Sequence, residues 1–175
     1  MKTSYSLMSV LLVLAAEIAL FALLPRLSPK RFEVDSFLPT YWYLMLLIVA
    51  VSGYFLAVVM WAALTGTGDI GRAILAGVSV LIALTGNVLG KVRRNFYIGV
   101  RTPWTLASER VWYTTHRLAA WLMVLSGLIC LVLALLGAPV WIWMTVLLGG
   151  SLTPVAYSLY YYKRLEKRGE LDVPA

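Results

Sequence analysis

The chain has 175 residues, of which 61% are hydrophobic and 13% charged, and a formal net charge of +7. Soluble domains carry about a quarter charged residues, so this composition excludes an ordinary water-soluble globule and points to lipid as the solvent. The positive charge falls in short segments between apolar runs, where membrane topology accounts for it and direct nucleic-acid binding is not expected.

A helix that crosses a bilayer needs roughly 20 predominantly apolar residues. The run 6–24 is the first, with Glu17 as its only charge, and Ala22-Leu23-Leu24-Pro25 is a poor signal-peptidase site, so a retained span is expected. Residues 41–64 and 73–90 are uncharged and form the second and third spans, separated by a short loop around Gly66, Gly68 and Asp69. Between Leu118 and Tyr162 no charge appears, and Gly137-Ala138-Pro139 divides that stretch into spans 118–136 and 140–162. The expected fold is therefore all-α, a polytopic membrane bundle of five spans in one domain, with a short interfacial helix before the fourth.

Five spans put the termini on opposite sides. One side holds 13 Lys and Arg residues, in the loop 25–40, the segment 91–117 and the tail after Tyr162; the other holds only Lys2 and Arg72. Positive residues remain in the cytoplasm, so the N-terminus is expected outside and the C-terminus inside.

The segment Lys91–Arg117 reads KVRRNFYIGVRTPWTLASERVWYTTHR. Gly99 and Thr102-Pro103 mark a turn, Thr102 or Thr105 is the expected N-cap, and Glu109 suits the first turn of a helix. Helix from about Thr105 would run into the fourth span. It would place Glu109, Trp112 and His116 on one face, with Trp104, Ser108, Trp112 and His116 in a row at spacing four. This describes an amphipathic element at the lipid boundary, with Trp104 and Trp112 as interfacial anchors.

The same segment resembles the signature of the SdpI family, bacterial membrane proteins whose founding member gives immunity against a secreted peptide toxin. The resemblance rests on Gly86-Asn87, Asn95-Phe96, the string Ile98-Gly99-Val100-Arg101-Thr102-Pro103-Trp104-Thr105-Leu106, Ser108-Glu109, Trp112 and Thr115-His116-Arg117. It implies an immunity or stress-response role at the bacterial inner membrane. A peptide toxin is the implied partner, and a cytoplasmic transcriptional repressor the implied signalling partner. Many members carry a further N-terminal module with a histidine-containing external loop. Residues 25–40 contain no histidine, so that module is expected to be reduced or absent.

The functional candidates are Asn87, Asn95, Arg101, Thr102, Pro103, Trp104, Glu109, Trp112, His116 and Arg117 in the loop, with Glu17 inside the membrane. An ionisable group in mid-span costs ~2.5–3.5 kcal/mol on insertion scales; Ser52 or Asn87 is the expected hydrogen-bond partner if Glu17 is structural. Arg101 and Arg117 are expected to pair with Glu109 or to meet lipid phosphate, and Lys91, Arg93 and Arg94 to act as a positive-inside anchor. Membrane lipids are thus expected partners. One histidine and one cysteine leave no metal site or disulfide framework, and no cofactor or catalytic residue is assigned. Two other readings stay open: a small transporter using Glu17 and a kink at Pro154, and an enzyme using Glu109 and His116 on a lipid headgroup. For Gly149–Pro154, close helix packing is preferred over a transport site.

Overall fold

The computed structural model describes residues 2–27, 37–66, 68–95 and 98–171, with side chains from Met8 onward in the first helix. All regular structure there is helical: α1 Lys2–Leu23, α2 Leu38–Thr65, α3 Ile70–Leu89, α4 Pro103–Ala107, α5 Glu109–Leu135 and α6 Val140–Arg168, with a 3-10 turn at Leu24–Leu27 after α1. Five of these are long and apolar enough to cross a membrane. Most of the loop 25–40, with Lys30, Arg31, Glu33 and Asp35, lies outside the described residues, as does Phe96 of the signature.

Turn chemistry sets the boundaries. Gly66 caps α2 in the left-handed region at φ 65°, a conformation that favours glycine. Asp69 starts α3 by accepting from the Arg72 amide at 2.9 Å and pairs with the Arg72 side chain at 3.3 Å. Gly137, at φ 70°, ends α5, and Pro139 precedes α6, so the chain turns where the glycine–proline step places the break.

Small residues hold α3, α5 and α6 together. A Cβ at Gly86 would meet the Val124 amide nitrogen at 2.8 Å, and one at Gly127 would meet the Ala83 nitrogen at 2.7 Å, so the α3 and α5 backbones approach directly. That contact replaces the hydrophobic drive absent between helices in lipid. Gly150 of α6 packs against Ser126 of α5. α6 continues as helix through the buried Pro154, whereas Gly149 faces open space. Trp143 is buried and joins α6 to α3 by donating Nε1–H to Ser79 Oγ at 2.9 Å.

α2 meets α1 through the buried Tyr41, whose hydroxyl donates to the Phe21 carbonyl at 2.6 Å. Tyr41, Leu44 and Met45 then join Val88, Leu89, Val92, Trp112 and Ala119 in one apolar cluster, with Ile98, Val100 and Leu106 packed against it. This cluster closes the end of the bundle beneath the segment 91–108.

Candidate functional site

The segment between α3 and α5 is a strap folded back onto the bundle. It opens with Val92, fully buried, whose carbonyl accepts Trp112 Nε1–H at 2.9 Å. Asn95, also fully buried, closes the next turn: its Oδ1 accepts the Ile98 amide at 2.7 Å, while Nδ2 donates to the carbonyls of Arg93 at 2.8 Å and Ile98 at 3.2 Å. A short polar side chain with donors and an acceptor is what such a turn needs.

Gly99 follows at φ 111°. A Cβ there would overlap the His116 imidazole, so glycine is required both by conformation and by the ring against it. His116 has no exposure. Its Nε2 accepts the Val100 amide at 3.1 Å, which leaves the proton on Nδ1 to donate to the Trp112 carbonyl at 2.8 Å. The ring also stacks on Trp112, with centroids 4.0 Å apart and planes 22° from parallel.

Two capped helix starts then follow within six residues. Thr102 Oγ1 accepts the Thr105 amide at 3.3 Å and Thr105 Oγ1 accepts the Thr102 amide at 2.9 Å, a reciprocal box with Pro103 in the first turn of α4. Thr105 Oγ1 also donates to the Val100 carbonyl at 2.7 Å. The chain leaves helical geometry at Ser108 (φ −131°, ψ 126°), and its buried hydroxyl accepts the Val111 amide at 3.2 Å to start α5.

The break at Ser108 corrects the expected continuous helix from Thr105. Trp104 belongs to α4, so the row Trp104–Ser108–Trp112–His116 does not lie along one helix. Trp104 donates its indole N–H to Ser158 Oγ on α6, and Trp112 is fully buried. The buried Trp112 is therefore no interfacial anchor, and both indoles clamp the strap, Trp104 to α6 and Trp112 to α5. Periodicity could not reveal this, because an indole suits a membrane interface and a buried donor site equally well.

Glu109 and His116 do not form a shared site. The Glu109 carboxylate, 58% exposed, pairs with Arg94 at 3.5 Å, while His116 is sealed beneath the strap with both ring nitrogens engaged. A general base needs a nitrogen within reach of substrate, and this geometry offers none. Arg94, read only as a positive-inside anchor, also donates to the Leu106 carbonyl at 3.1 Å. It therefore joins the start of the strap to α4 and to the first turn of α5. The pairing of opposite charges was anticipated, but on Arg101 or Arg117 rather than Arg94.

Asn95, Thr102, Pro103, Trp104, Trp112 and His116 are thus brought together as parts of one clasp. Arg101 is exposed on its outer edge. Asn87 and Arg117 face elsewhere: both line a separate cavity between α3 and α5. Glu17 lies far from the strap along α1, where its Oε1 accepts from Ser52 Oγ at 3.0 Å, the expected partner, and its buried Oε2 has none. Among the described residues no cluster of three or more His, Cys, Asp or Glu could hold a metal.

Five membrane-length helices and an ordered strap define a polytopic helical membrane protein. Residues 91–161, from the start of the strap to near the end of α6, match the SdpI/YfhL protein family. The chain is also 33% identical over 91 residues to the immunity protein SdpI of Bacillus subtilis (strain 168), an alignment covering 51% of this chain and 44% of that protein. The chain thus spans less than half the length of this relative. The SdpI resemblance carried by the loop motif is shown over this region. No solved structure matches the chain.

Proposed function

We propose that this protein is an SdpI-like immunity protein of the bacterial cytoplasmic membrane, protecting against a membrane-active peptide that enters the bilayer. In this reading its N-terminus is outside, its C-terminus inside and the strap cytoplasmic, an orientation supported by the distribution of Lys and Arg. The observation that carries the reading is the strap itself. Its closing residues fall in or beside the family-matched region, and they are joined by hydrogen bonds to α5 and α6. The strap acts as the rigid cytoplasmic floor of the bundle, on which the peptide-binding helices are set. Relay to a cytoplasmic partner would use the exposed surface around Arg101 and the basic end of α6.

The test is survival of sensitive bacteria challenged with a membrane-active peptide toxin, with membrane levels checked by blot. Wild type and Arg101→Ala probe the outer surface; His116→Ala probes the floor. Protection by wild type that Arg101→Ala loses at equal abundance assigns the outer surface a functional part. Absence of protection at good expression overturns the immunity reading.

A second reading rests on Glu17, whose Oε2 is a buried polar atom without a partner. Such a group is a default candidate for a proton or ion path. Under this reading Glu17→Gln abolishes flux into vesicles holding the protein, and flux that survives the change excludes the carboxyl route.

A further inference from the structure

A cavity of about 310 Å3 opens between α3 and α5 beside the strap, lined by Asn87, Lys91, Arg117 and Trp121 with Gly86 and Gly90. Asn87 lies in the last turn of α3 and Lys91 in the turn that follows it, while Arg117 and Trp121 are one turn apart on α5, so two cations, an amide and an indole line one cavity from both sides. Gly90 keeps the space open: a Cβ there would sit 3.6 Å from the Ala120 Cβ. A longer side chain would occupy the groove.

Among the described residues no acidic side chain lines this cavity, and the acids at this end are engaged elsewhere, Glu109 with Arg94, Glu170 with Arg110 and Glu166 with Lys163. Among the described residues Lys91 and Arg117 have no ion-pair partner. A guanidinium and an ammonium with an amide donor between them form a receptor for a tetrahedral oxyanion.

The outer wall states which source of oxyanion fits. Trp121 is 78% exposed, on a face of α5 that continues through the exposed Leu125 and Leu128. Tryptophan is enriched at headgroup depth and leucine at acyl depth. The site therefore has a phosphate-binding end and an adjoining acyl track.

We infer that Lys91, Arg117 and Asn87 bind the phosphate of an anionic phospholipid, whose acyl chain runs down α5 past Trp121. The site is independent of toxin binding. An occupying lipid fills the seam between α3 and α5 and braces the strap from its open side.

The test uses the full chain, purified in zwitterionic detergent and titrated with phosphatidylglycerol, phosphatidylcholine or inorganic phosphate, with retention read by native mass spectrometry. Each basic residue near an anionic surface is worth about fivefold in binding. Lys91→Gln and Arg117→Gln should therefore each weaken phosphatidylglycerol about fivefold, and together roughly 25-fold. Both side chains are exposed, so the single variants remain informative if the double one is poorly folded. Lys167→Gln/Arg168→Gln removes equal charge from the same end of the bundle and should leave retention unchanged. Equal retention of phosphatidylcholine, or an equal loss in the Lys167/Arg168 variant, overturns the site. Displacement by inorganic phosphate at comparable concentration overturns a lipid as the source.

Discussion

Gly99 and His116 compete for one volume: the imidazole stands where a side chain on Gly99 would project, and Nε2 accepts the amide of the next residue, Val100. Residues 17 apart in sequence therefore constrain each other. Gly99→Ala should destabilise the protein by about 2 kcal/mol or more, combining a positive φ with a steric conflict. Gly90→Ala, where the added atom makes ordinary contact, should cost about 1 kcal/mol or less. Thermal unfolding in detergent checks both; equal midpoints would refute the constraint.

His116→Ala leaves the part-buried Val100 amide without its acceptor and removes the stack on Trp112. An unpaired buried donor costs about 1–3 kcal/mol, so the variant should unfold early and expose the strap to protease between Arg93 and Arg101. Proteolysis of native membranes measures this, and a cleavage rate equal to wild type would show that the histidine does not hold the strap.

Trp112→Phe keeps an aromatic ring but deletes the donor to the Val92 carbonyl, at an expected cost of about 1–3 kcal/mol. Ser158→Ala deletes the acceptor of Trp104 on α6. Trp104 is half-buried, so water can replace the lost partner and the expected loss is about 1 kcal/mol. Reversal of that order in unfolding measurements would mean that α6, rather than the start of the strap, bears the clamp.

Arg94 and Glu109 give a third contrast. The carboxylate is mostly exposed, and exposed pairs contribute about 0–1 kcal/mol, so Glu109→Gln should change stability little. Arg94→Gln also loses the bond to the Leu106 carbonyl and should cost more. A double-mutant cycle isolates the pair, with a coupling below about 1 kcal/mol expected; a much larger value would place the pair in a drier environment.

The five spans were legible because lipid imposes length and apolarity directly: the uncharged stretches overlap α2, α3, α5 and α6, although α5 begins earlier, at Glu109, and α6 runs on to Arg168. Of the candidates gathered from the loop motif, Asn95, Thr102, Pro103, Trp104, Trp112 and His116 sit together, whereas Asn87, Arg101, Glu109 and Arg117 stand apart from them. What the sequence could not disclose was the direction of side chains in the strap. Ser108 reads equally well as a helical residue in a spacing-four row and as an N-cap, and only its tertiary environment selects the cap. Trp143 reads as an interfacial aromatic, yet a hydroxyl 64 positions earlier, on Ser79, draws it inward. Glu109 had several cations within sequence reach, and the choice of Arg94 depends on where the strap folds back.

The glycines that let α3 and α5 touch along their backbones have a mechanical consequence. Helices in direct main-chain contact at Gly86 and Gly127 resist sliding, since any shift drives a neighbouring side chain into the space a glycine leaves open. With α6 seated on them through Gly150 and Trp143, these three form a stiff frame. By contrast, α1 has no buried residue along its apolar window and meets α2 through few polar ties, chiefly Tyr41 and Ser52. The bundle is thus a stiff frame of α3, α5 and α6, to which α2 is joined through the buried Tyr41, Leu44 and Met45, with α1 the least buried of its long helices.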